Sequence, residues 1–114
     1  MKTPRIPFTL LDWDTMQVES IRGKTALCHE RSLDRDGLRI RLVEYEPGYI
    51  ADHWCDRGHV FQVLSGEITI VLTDGRETRL AQGMGFCVSD FGDASHMVRT
   101  SMGCRAFIVD CPLP

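Results

Sequence analysis

Leu38-Arg39-Ile40-Arg41-Leu42-Val43-Glu44-Tyr45 is the stretch on which the fold turns. On an extended backbone successive side chains point to opposite faces. Leu38, Ile40 and Leu42 then share one face of a strand, and Arg39, Arg41, Val43 and Tyr45 share the other. Asp36-Gly37 just before this run is a strong hairpin signal, as is Asp74-Gly75 after a second apolar run at residues 68–73. Glu46-Pro47-Gly48 and Gly83-Met84-Gly85 also punctuate the chain, and residues 104–110 read as a last strand closed off by Pro112 and Pro114. No window carries a convincing helical stripe. Residues 10–21, with Asp12 as a cap, read as irregular or a single turn. Short strands at this spacing predict an all-β sandwich or small barrel.

Length and composition agree. The chain has 114 residues, which is one domain. It divides into an N-terminal arm over 1–23, laid on the barrel or on a partner subunit, and a barrel core over 24–111. Thirteen basic and sixteen acidic residues give a net charge of -3 with no basic cluster, which argues against nucleic acid. No apolar run is long enough to span a bilayer, and the opening Met1-Lys2-Thr3-Pro4 lacks the pattern of a signal peptide. Five cysteines (Cys28, Cys55, Cys87, Cys104, Cys111) form no CxxC pair, and an odd count without a secretion signal predicts a reducing cytoplasm.

The chemistry concentrates in His53-Trp54-Cys55-Asp56-Arg57-Gly58-His59. His53 and Cys55 are two apart and share a strand face. A three-residue hairpin loop at Asp56-Arg57-Gly58, with Gly58 in the left-handed position, would set Cys55 opposite His59. A fourth donor could come from His96, whose run places His96, Val98 and Thr100 on one face. Imidazole and thiolate suit zinc, iron, nickel and copper rather than magnesium or calcium. Each of these residues alone is better explained as a hydrogen-bonded or buried side chain; their convergence is what makes a metal site. His29, outside the patch, is read as an ordinary hydrogen-bonded or solvent-facing histidine.

The spacing resembles the two motifs of the cupin superfamily. Gly48, His53, Cys55, His59 and Gly66 fall at the places of the first motif, with its first spacer one residue shorter. Gly85, Phe91, Asp93, His96 and Thr100 fall at those of the second, and the likeness covers residues 47–110. Cys55 stands where the second histidine belongs and His59 where the glutamate belongs. Phe91, Asp93 and Thr100 replace the turn proline, the turn glycine and the final asparagine. Asp52-His53-Trp54-Cys55 also looks like the segment of small bacterial cupins named for an Asp, His, Cys and Trp motif, a group that brings no known reaction.

The resemblance implies a double-stranded β-helix, or jelly-roll barrel. It also implies one divalent transition metal on His53, Cys55, His59 and His96, zinc or iron ahead of nickel, and a homodimer. By parity Phe61, Val63 and Val98, with Arg41 and Tyr45, would line the cavity, Trp54 would point away, and Asp52, Gln62 and Ser95 are candidates to orient the histidines. Arg39 is read as part of a solvated, salt-bridged strand face. No catalytic residue stands out. The expected function is a metal-dependent oxygenase, isomerase or lyase on a small polar molecule. Its rivals are a non-catalytic ligand-binding or sensing module and a barrel with a closed structural zinc site.

Overall fold

A computed structural model of the protein describes residues 5–110; Cys111 and the closing Pro112 and Pro114 lie outside them. Eight strands follow one 3-10 turn at Trp13–Thr15: β1 (Glu19–Arg22), β2 (Leu27–Arg35), β3 (Leu38–Tyr45), β4 (His59–Leu72), β5 (Glu77–Ala81), β6 (Gly85–Val88), β7 (His96–Arg99) and β8 (Cys104–Asp110). All pairings are antiparallel. One sheet runs β1-β2-β3-β8-β4, with β6 also on β4; the other joins β5 and β7 to the far end of β4. β4 serves both because its register on β8 shifts between Val63 and Ser65, a bulge that bends it from one sheet into the other.

The turn signals hold where the backbone demands them. Asp36 and Gly37 both adopt positive φ (48° and 85°), the type I′ geometry that matches the twist of β2 and β3. Along β3 the alternation also holds: Val43 joins a core formed with Cys28, Phe61, Val63, Ile68, Ile70, Leu80, Ala106 and Ile108. Leu42, on the opposite face, is buried as well. Its register partner Phe107 meets Trp13 edge-on, ring centroids 6.2 Å apart, so the arm lies over that outer face.

Residues 10–21 hold the single turn that the sequence predicts, but their last three residues, with Arg22, form a strand that it does not. β1 pairs with β2 from Glu19↔Glu30 to Arg22↔Leu27 while all four of its residues stay exposed, so it carries no alternation to read. Among the described residues no helix is long and apolar enough to cross a membrane. The four described cysteines are all free thiols.

Candidate metal centre

Cys55, His59 and His96 come together from three separate segments, with their ligand atoms all within 4.8 Å of one another. Cys55 and His96 are held side by side by a pair of backbone hydrogen bonds: the Cys55 amide donates to the His96 carbonyl at 2.7 Å and the His96 amide to the Cys55 carbonyl at 2.8 Å. His59 opens β4, and its Nε2 lies 3.6 Å from the Cys55 Sγ. Its ring meets that of His96 edge-on, with centroids 5.1 Å apart.

The expected Cys55–His59 hairpin is corrected by this geometry. Cys55 pairs with His96, and His59 pairs with Val88 and Asp110. Residues 56–58 are instead tied to residues 88–91: the Phe91 amide donates to the Asp56 carbonyl at 2.8 Å, and the Gly58 amide donates to the Asp90 carboxylate. Gly58 is not among the residues with positive φ. It is required because a Cβ there would meet the Val88 oxygen and the Asp90 nitrogen at 2.6 Å.

His53 stands apart from this cluster. Its side chain is 74% exposed and its Nδ1 bonds the Asp52 carboxylate at 2.7 Å, although it lines the same cavity as the other three.

The electrostatics suit a metal. His96 is only 6% exposed, and burial followed by the nearby His59 pushes its pKa down to about 4, so its imidazole is neutral at physiological pH, the form that coordinates. Burial alone would raise the Asp110 pKa, but the hydrogen bond from His59 and the Arg41 charge outweigh it and hold the carboxyl below its ordinary value. His59 Nδ1 lies 2.5 Å from Asp110 Oδ1. Two imidazoles and a thiol are a donor set for a transition metal ion.

The fold can be placed among known structures. Neither a protein-family model nor any curated protein matches this sequence. Solved structures do. An RmlC-like cupin from Shewanella frigidimarina superposes with a TM-score of 0.73 at 19% identity, over 94% of this chain and 93% of its own. A predicted oxalate decarboxylase from Thermotoga maritima gives 0.76 at 14% identity, over 92% and 100%. The polyketide cyclase RemF from Streptomyces resistomycificus gives 0.72 at 21% identity, over 91% and 79%.

The chain has the cupin fold.

In this cupin barrel the three donors lie on the wall of a cavity of about 170 Å³. Of the residues that parity assigns to it, Arg41, Tyr45, Phe61 and Val98 are in the lining, while Val63 is packed in the core. Phe61 and Phe86 stack at 5.1 Å, and Phe86 meets the His96 ring edge-on at 5.6 Å, giving the site an apolar wall. Burial pushes the Tyr45 and Tyr49 hydroxyls far above their ordinary pKa, so both stay protonated. Trp54 is half-exposed and outside the lining. His29 bonds Ser20 and Glu46 at 2.8 and 3.1 Å, an ordinary polar contact.

Two groups at the site went unread in the sequence, Glu30 and Asp110. Asp110, rather than Asp52, Gln62 or Ser95, holds the second nitrogen of His59. Its only sequence signal is the parity of the last strand. Glu30, 5% exposed, takes Arg39 Nη2 at 2.8 Å and Arg41 Nη1 at 2.7 Å. Arg39, 42% exposed and ion-paired with Glu30 and Asp34, is the solvated, salt-bridged residue that the sequence predicts.

Burial of His96 has a measurable consequence in metal-free protein. Its folded pKa of about 4 lies below the ordinary 6.5, so as pH falls the unfolded chain takes up the proton first. Stability is therefore full above pH 6.5 and is lost as pH falls toward 4. About 2 kcal/mol should disappear between pH 7.5 and pH 5, read by urea unfolding. His96→Gln should remove that slope; an unchanged slope in the variant would assign it elsewhere.

Proposed function

We propose that this protein is a metal-dependent enzyme that holds one divalent transition metal, zinc or ferrous iron, on Cys55, His59 and His96 and acts on a small polar molecule in the adjoining cavity. The carrying observation is that, among the described residues, three donors rather than four meet within 4.8 Å on a cavity wall. A structural zinc is closed by four protein ligands, whereas a catalytic one keeps a position open. The exposed His53, bonded to Asp52, supports the open arrangement over the closed one. A metal bound there would supply Lewis acidity or oxygen activation.

The chain's own residues would do the rest. Phe61, Phe86 and Val98 exclude water from one side of the site. The protonated Tyr45 hydroxyl offers a hydrogen-bond donor to a polar substrate, while that of Tyr49 bonds Cys28. Structural neighbours described as a sugar phosphate isomerase and a predicted oxalate decarboxylase belong to the range of chemistries considered, without choosing among them. The four free thiols support a reducing, cytoplasmic setting.

The test is elemental analysis of protein purified without added metal, then of the chelator-stripped protein after zinc or anaerobic Fe(II) loading. About one ion per chain is expected. A protein that carries none and takes up neither ion refutes the reading.

We also propose a homodimer. Phe8 and Leu10 of the arm stand 99% and 76% exposed, apolar surface that a second copy would cover. Light scattering at micromolar concentration should give twice the chain mass; a monomer overturns this.

A further inference from the structure

Behind His59 lies a relay of charged side chains that the metal reading does not require. β8 runs between β3 and β4, and Asp110 at its end is the register partner of Arg39 on one side and His59 on the other. Its Oδ1 lies 2.5 Å from His59 Nδ1 and accepts from Arg41 Nη2 at 2.9 Å, while its Oδ2 lies 2.8 Å from Arg41 Nε. One hydrogen bond from Arg41 Nη2 and an ion-pair contact at Nε hold the carboxylate beside His59. Arg41 is fixed in turn by the buried Glu30, whose other oxygen takes Arg39. Arg39 and Arg41 reach the same carboxylate because they are two apart on one strand.

This arrangement uses the Arg41 guanidinium on two carboxylates, so it serves as a brace rather than as an anion-binding group in the cavity. Its free end is the His59 ring.

We propose that Asp110, clamped by Arg41, is a positioning residue that fixes His59 as the tautomer protonated on Nδ1, leaving the Nε2 lone pair turned toward Cys55. A neutral imidazole carries one proton, and which nitrogen bears it is set by the partner of that nitrogen. An ionised carboxylate at Nδ1 permits only the donor form there. Nε2 is then the acceptor, and it is the nitrogen that lies 3.6 Å from the Cys55 sulfur. The consequence for affinity rests on the proposed metal site; the tautomer is a property of the metal-free chain.

The experiment reads both. In ¹⁵N-labelled, chelator-stripped protein at pH 7.5, two-bond ¹H–¹⁵N correlation spectra should show His59 protonated on Nδ1. Asp110→Ala should mix the tautomers and weaken zinc binding, measured against a chromogenic chelator, by about 10- to 100-fold. Asp110→Asn keeps an acceptor oxygen at that place, so it should retain the Nδ1–H tautomer and lose less affinity than the alanine variant. It also decides the matter if the alanine variant fails to fold.

A wild-type His59 protonated on Nε2 overturns the proposal. So does a folded Asp110→Ala variant with unchanged tautomer and unchanged zinc affinity. If the wild type binds no zinc, the metal reading fails, while the wild-type and variant spectra still decide the role of Asp110.

Discussion

Replacing Arg41 with methionine is expected to cost about 3 kcal/mol of folding stability, read as a lower urea midpoint with an unchanged slope. Methionine keeps much of the apolar stem but none of the donors. The loss strands two carboxylates: Glu30, 5% exposed, and Asp110, in the relay beside it. Burial alone would make Arg41 easier to deprotonate, yet the Glu30 hydrogen bond and the Asp110 charge outweigh it and raise its pKa. Removing one partner of a buried ion pair costs about 3–5 kcal/mol. The lower end applies because Glu30 keeps Arg39 and Asp110 keeps His59.

The companion variant separates a stranded charge from lost packing. Glu30→Met together with Arg41→Met removes the buried carboxylate with its partner, so it should recover much of the loss. A single-variant cost below about 1 kcal/mol would mean that solvent screens the whole relay.

Much of the fold was legible because it depends on neighbours in sequence. Alternation along Leu38–Tyr45 put Arg41, Val43 and Tyr45 on the inward face, and Asp36-Gly37 marked a turn whose backbone requires positive φ. Both are properties of a few consecutive residues. The site was legible in its residue types, since Cys55, His59 and His96 meet, but not in its geometry. The pairing of Cys55 with His96 spans 41 residues, and the loop between Cys55 and His59 is held by backbone at 88–91 that leaves no mark on its own sequence. Asp110 was out of reach for the same reason. Only the strand order, which sets β8 between β3 and β4, brings it to His59. β1 was missed because its four exposed residues show no apolar period.

The ligand variants carry the largest functional effect, and their ranking is the argument. Structural zinc sites of four ligands bind with about 10–16 kcal/mol, or about 2.5–4 kcal/mol for each ligand. His59→Ala, His96→Ala and Cys55→Ser should therefore each weaken zinc binding by about 70- to 900-fold in competition with a chromogenic chelator at pH 7.5. Serine at 55 nearly conserves volume, so its loss isolates the thiolate. His53→Ala is the control: a side chain 74% exposed and bonded to Asp52, outside the cluster, should change affinity by less than about threefold. A His53→Ala loss as large as the others would show that the ring swings in to close a four-ligand site, and the structural-zinc reading would then displace the open one. Near-wild-type affinity in Cys55→Ser, with both histidine variants impaired, would leave the sulfur as a free thiol beside the ion. Circular dichroism must show each variant folded, because His96 also packs against Phe86 and loss of that contact alone could mimic a lost ligand.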